Sequence, residues 1–146
     1  MLWLMSFVFL ACSANQDMEA KLVGTWKNKS IQVKMNSFEN TDSVHWLIVE
    51  DNNWESVLNI KPIETTYFED GRFESVYTDL NDVVLGVESG HWLLVNDSLI
   101  LKSKHYNNSY SMKWHEDELQ FTAWLDWDND GKKDDLNNGR QVKIEP

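Results

Sequence analysis

Tyr110-Ser111-Met112-Lys113-Trp114, the polar link His115-Glu116-Asp117, and Leu119-Gln120-Phe121-Thr122-Ala123-Trp124 form the stretch from which the fold can be read. Successive side chains of a strand point to opposite faces, so Tyr110, Met112 and Trp114 share one face while Ser111 and Lys113 share the other. Leu119, Phe121, Ala123 and Leu125 likewise line up, with Gln120 and Thr122 opposite. The link between the two runs is too short for anything but a tight reversal. The pair therefore reads as an antiparallel hairpin with one face on a core and one in water.

The same grammar extends in both directions. His91-Trp92-Leu93-Leu94-Val95 and Leu99-Ile100-Leu101 flank Asn96-Asp97. Thr65-Thr66-Tyr67-Phe68 and Arg72-Phe73-Glu74-Ser75-Val76-Tyr77 flank Glu69-Asp70-Gly71, where Asp-Gly suits the positive φ angles of a two-residue hairpin. The pattern predicts strands near 22–34, 44–50, 54–60, 64–69, 72–79, 87–95, 98–105, 109–115, 118–127 and 140–145. It predicts one short helix around Asp17–Lys21. The only prolines are Pro62 and Pro146, and no helical stripe of any length interrupts the strands. This is an all-β antiparallel up-and-down meander, and such a meander either closes into a barrel or stacks as two sheets.

Ahead of the strands lies MLWLMSFVFLA, residues 1–11, which is uncharged and almost wholly apolar. A membrane span needs about 20 apolar residues, so this run is too short to cross. It reads as the hydrophobic part of a secretory signal, although no Lys or Arg precedes it, with the small residue Ala11 at the cut. Cys12 follows at once and is the single cysteine of the chain, so no internal disulfide can form. Phe9-Leu10-Ala11-Cys12 resembles the lipobox of bacterial lipoproteins. That resemblance implies a signal peptide at 1–11, a lipidated tether at 12–20 and a folded domain at 21–146. It further implies export to the cell envelope, with the membrane as a partner through acyl chains on Cys12, at the outer membrane or the periplasmic face. The formal charge of −11 argues against nucleic acid, whose phosphates reward Lys and Arg.

Leu22-Val23-Gly24-Thr25-Trp26 opens the folded part with a Gly-x-Trp element. It resembles the start of the lipocalins, in which this glycine and tryptophan stand on the first strand and the ring closes one end of the barrel. Asp70-Gly71, Gly90-His91-Trp92 and Asp97-Ser98-Leu99-Ile100-Leu101 follow in an order similar to bacterial lipocalin-like lipoproteins, over most of 22–125. The resemblance implies a closed, calycin-type barrel of about eight to ten strands. It also implies an interior that takes a small hydrophobic ligand.

Seven of the eight tryptophans lie beyond the leader. Their rings can fill a narrow barrel completely, or they can line an apolar pocket. Trp26, Trp92 and Trp114 are the ligand-contact candidates. With a filled core, the protein would instead be a structural or interaction module of the envelope, docking through loops and sheet edges.

Asp126-Trp127-Asp128-Asn129-Asp130-Gly131-Lys132-Lys133-Asp134-Asp135 carries a second signal. Asp at positions 1, 3 and 5 with Gly at 6 is how a calcium loop wraps its ion. Asp126, Asp128 and Asp130 would supply carboxylates, Lys132 a main-chain carbonyl, and Asp134 a further oxygen. Position 12 is Asn137 rather than a bidentate glutamate, and the flanks read as strands. Calcium here would be weak, at roughly 10⁻⁴–10⁻³ M. The other reading is a solvated acidic hairpin loop.

Catalytic motifs are lacking. Gly86-Val87-Glu88-Ser89-Gly90 has the wrong spacing for a nucleophile elbow, and His45, His91, His105 and His115 show no zinc-ligand spacing. The expectation is a binding protein, not an enzyme.

Overall fold

Gly-x-Trp does begin the first strand. The computed structural model describes the backbone of residues 10–144 and the side chains of residues 14–144. Residues 1–9 of the expected signal peptide, and the Cys12 side chain that would take the lipid, lie outside the described residues. Helix α1 (Leu10–Leu22) leads into β1 (Gly24–Met35), β2 (His45–Val49), helix α2 (Trp54–Leu58), β3 (Glu64–Tyr67), β4 (Arg72–Thr78), β5 (Val84–Val95), β6 (Ser98–Ser103), β7 (Asn107–His115), β8 (Glu118–Leu125) and β9 (Asp135–Lys143).

The strands form one antiparallel sheet that closes on itself. From β3 through β9 each strand pairs with the next in sequence, and β9 returns to pair with β1 from Trp26↔Lys143 to Lys34↔Leu136. Strand β1 makes this possible by serving three neighbours. Its first half pairs with β3 and its second half with β2, on one edge, while β9 runs along the other. A bulge between Asn28 and Ser30 sits between the two halves, where an extra residue bends a strand and increases its twist. The result is an eight-stranded barrel with β2 as an extra strand. The antiparallel up-and-down meander read from the alternation is the observed architecture, and of its two possible arrangements it takes the closed barrel that the resemblance implied.

The two ends differ. At one end α1 covers the barrel: Leu22 is fully buried, Met18 and Val23 pack on the core, and Leu22 O accepts a 2.7 Å hydrogen bond from Trp26 Nε1. Trp26, Tyr67, Phe73, Trp92, Leu94, Leu99, Met112 and Leu119 fill the space beneath. Gly90 is needed in the wall here, because a Cβ on it would stand 2.1 Å from the carbonyl oxygen of Lys102 on the neighbouring strand. At the other end a smaller cluster of Ile31, Val33, Val49 and Trp54 packs under α2.

Three local expectations are corrected. The segment 54–60 is not a strand: Trp54–Leu58 is a helical turn, stopped by Asn59 at φ 56 with its N–H on Glu55 O. Asparagine tolerates the left-handed geometry that ends a helix, and that punctuation outweighs the β-branched content of so short a run. The helix near Asp17–Lys21 extends over Leu10–Leu22, through a stretch without Gly or Pro in which Leu, Ala, Gln, Met, Glu and Lys outnumber the weaker helix formers. The segment expected as a tether, 12–20, is therefore helical, and Met18 within it touches the core. Glu69-Asp70-Gly71 is a three-residue link rather than a two-residue one. Phe68 N donates to Arg72 O and only Gly71, at φ 85, adopts positive φ, as a turn followed by a left-handed glycine requires.

Candidate functional site

Inside the barrel, away from α1, lies a cavity of ≈ 200 Å³ that opens to solvent. Its walls come from inward positions of β1, β3, β4, β6, β7, β8 and β9. All four tyrosines of the chain stand on it: Tyr67 from β3, Tyr77 from β4, Tyr106 from the link before β7, and Tyr110 from β7. Burial pushes the phenol pKa of each of them up, and the neighbouring tyrosines add to the effect at Tyr67 and Tyr106. The phenols therefore face the cavity protonated at neutral pH.

Strand β9 supplies the polar wall. With a period of two, its inward positions are Asp135, Asn137, Gly139 and Gln141, none of which is apolar. Asp135 is fully buried and Asn137 nearly so. Gln141 Nε2 donates to Asn28 Oδ1 at 2.8 Å, which leaves Gln141 Oε1 buried with no hydrogen-bond partner among the described residues. Trp127, packed against the cluster under α2, has a buried Nε1 in the same condition. Across the barrel Thr65 and Ser75 satisfy one another, their hydroxyls 2.7 Å apart. Among the lining residues Arg140 alone carries a charge, and about half of its side chain is exposed, 3.8 Å from Glu118.

The three tryptophans singled out in the sequence do not line this cavity. Trp26, Trp92 and Trp114 lie toward the end covered by α1. Trp26 meets Trp114 edge to face at 5.9 Å, Trp92 Nε1 donates to Phe68 O at 3.0 Å, and Lys21 of α1 stands 4.2 Å over the Trp114 ring. Trp92 also borders a second, open recess of ≈ 280 Å³ beside Gln16 and Glu19 of α1. The polar face of β9 escapes a reading based on apolar alternation, and the tyrosines, although Tyr110 falls on the core face by that alternation, are not among the ligand-contact candidates. The signal that could have found them is that every tyrosine falls at an inward or turn position.

The acidic loop between β8 and β9 sits at the cavity's end of the barrel. Carboxylate oxygens of Asp126, Asp128 and Asp135 all lie within 4.8 Å of one another. Asp126 and Asp128 were expected in that role, while Asp135 takes the place foreseen for Asp130 and Asp134. Asp130 accepts from Lys132 N at 2.9 Å and faces Lys132 Nζ at 3.7 Å. Asp134 accepts from Ser37 Oγ at 2.8 Å. Backbone amides already approach the triad: Asn36 N and Trp127 N donate to Asp135, Glu39 N to Asp128, and Asp130 N and Gly131 N to Asp126. Each carboxylate oxygen has two lone pairs, so these bonds leave room for a cation. The donor set is all oxygen, which suits Ca²⁺ rather than zinc.

No protein-family model matches the sequence, and no curated protein matches it. Among the described residues no helix is long and apolar enough to cross a membrane. The barrel and its cavity therefore carry the functional reading.

Proposed function

We propose that this chain is a cell-envelope lipoprotein, exported by residues 1–11 and held on the membrane by lipid on Cys12, whose barrel takes up a small molecule. The observation that carries the reading is the ≈ 200 Å³ cavity, lined by aromatic and aliphatic side chains with a few polar groups among them. That composition is typical of sites for small ligands. The leader and the lone cysteine at its end support the anchor. The acidic loop holds calcium weakly, supported by the three converging carboxylates of Asp126, Asp128 and Asp135.

Growing cells with labelled fatty acid tests the anchor, and native mass spectrometry of the extracted protein tests the cargo. The expected outcome is label on the wild type and none on Cys12→Ser, together with a small-molecule adduct. An unlabelled wild type removes the anchor, and the absence of any adduct or added ligand removes the binding role.

A second reading, an interaction module, rests on β5. Its pairing with β6 begins only at Gly90↔Ser103, so the edge of residues 84–89 facing β6 is unpaired there, and Val84, Leu85 and Val87 are exposed. Unpaired edges invite another strand.

A further inference from the structure

The outer surface of the barrel carries a second constellation, independent of the cavity. Trp46 on β2 stands opposite Lys34 on β1, Lys34 opposite Leu136 on β9, and Leu136 opposite Trp124 on β8. The next row on the same four strands is Ile48, Gln32, Asn138 and Thr122, again matched strand to strand. Residues two apart on a strand share a face, so the two rows lie side by side. Trp46 is 61% exposed and Trp124 57%, so neither ring holds the fold together. Apolar residues scattered singly over a surface are ordinary, whereas a contiguous patch marks a site of interaction.

We propose that this face binds an uncharged polysaccharide, with sugar rings stacked on Trp46 and Trp124 and hydroxyls bonded by the amides of the adjoining row. Spacing is the first argument. Three strand-to-strand steps separate the two tryptophans, about 14 Å at the usual strand spacing, so each ring can meet a different unit of one extended chain. Such a chain crosses the strands along the row.

Polarity is the second. A sugar presents C–H groups on the faces of its ring and hydroxyls around the rim. It therefore suits an apolar platform with donors and acceptors alongside. Gln32 Nε2 donates to Glu50 Oε1 at 3.1 Å, and Asn138 Oδ1 accepts from Gln120 Nε2 at 2.9 Å. These bonds orient both amides and leave Gln32 Oε1 and Asn138 Nδ2 without a protein partner among the described residues.

Charge is the third. The two rows hold one cation, Lys34, and no carboxylate, on a chain whose formal charge is −11. That balance disfavours a polyanion, an anionic lipid surface and a second copy alike. A lipid surface or a second copy would also press the amides against apolar groups, which is unfavourable, whereas sugar hydroxyls replace the water they lose.

The test is affinity electrophoresis of the purified full-length chain in native gels containing hydroxyethylcellulose, galactomannan or alginate. At least one of the two neutral polymers should slow the wild type, and the anionic alginate should not. Trp46→Ala and Trp124→Ala should each weaken the retardation about tenfold, and the double variant should lose it. Gln32→Leu should weaken it as well, because it adds apolar area while removing an acceptor. These side chains are exposed, so the thermal midpoint should stay near that of the wild type and show that each variant is folded. Mobility unaffected by both neutral polymers, or slowed equally by alginate, overturns the proposal. Retardation that survives the double variant overturns it too. If that variant instead loses a sedimenting dimer, or the vesicle binding of a Cys12→Ser chain to phosphatidylcholine, the face belongs to a second copy or a membrane. None of these outcomes bears on the cavity.

Discussion

At the scale of single residues, the four tyrosines turn the interior into something that a titration can read. A phenol ordinarily ionises near 10.0, and burial raises that value for Tyr67, Tyr77, Tyr106 and Tyr110 alike. The folded state therefore keeps protons that the unfolded chain has released. Stability is undiminished below about pH 10, where neither state ionises, and falls as pH rises beyond it, because only the unfolded chain gains by losing protons. The expected record is an absorbance titration in which almost no phenolate forms up to about pH 10. Above that, all four phenols ionise in one step that coincides with loss of near-ultraviolet circular dichroism. Phenolate appearing early and reversibly, with the fold intact, would mean that these hydroxyls are in water. Phe at positions 67 and 106 together should move the alkaline unfolding upward in pH.

At the scale of elements, legibility followed the apolar period. The hairpins β5–β6 and β7–β8 carry apolar residues at alternate positions on either side of their turns, and each was found within a few residues. Strand β9 was found only at its last residues, because Leu136 and Val142 face outward and the inward face is Asp, Asn, Gly, Gln. Polar on polar gives no contrast to read, yet this is the face that shapes the cavity. Helix α2 was missed for the reverse reason, since Val57 and Leu58 mimic a strand while Asn59 ends a helical turn. In the acidic loop the spacing of aspartates was legible, but which of them converge was not. That depends on contacts from Asn36, Ser37 and Glu39 on the β1–β2 link, nearly a hundred residues away in sequence. The difference can be measured. Ten millimolar Ca²⁺ acting on a site of about 1 mM affinity stabilises the fold by roughly 1.4 kcal/mol, or about 3–6 °C in Tm. Chelation should reverse the shift, and Asp126→Asn or Asp128→Asn should abolish it. Asp130→Asn should retain it if the triad completed by Asp135 holds the ion, and should lose it if the linear spacing does. A midpoint insensitive to calcium in the wild type would leave the loop as a set of amide-capped carboxylates and nothing more.

At the scale of the whole molecule, everything inside depends on one long-range closure. Strands β3 to β9 are joined neighbour to neighbour, so they can assemble by successive local hairpins, whereas β1 and β9 meet only after nearly the entire chain has been placed. Closing a long loop costs entropy that grows slowly with its length, and it is repaid only when both edges of β9 are in place. That strand also brings Asp135, whose carboxylate takes the N–H groups of Asn36 and Trp127, and Gln141, which holds Asn28. Removing β9 would therefore expose two strand edges, orphan buried amides on both sides of the seam and open the cavity along its length. A chain ended after Asp134 should consequently lack a cooperative thermal transition and near-ultraviolet circular dichroism, and should bind a hydrophobic dye. If β9 were a peripheral strand laid on a finished sheet, the shortened chain would melt cooperatively, only a few degrees lower. The peptide 135–144 added in trans separates the two cases further: recovery of the transition on mixing follows from a barrel that lacks only its closing strand.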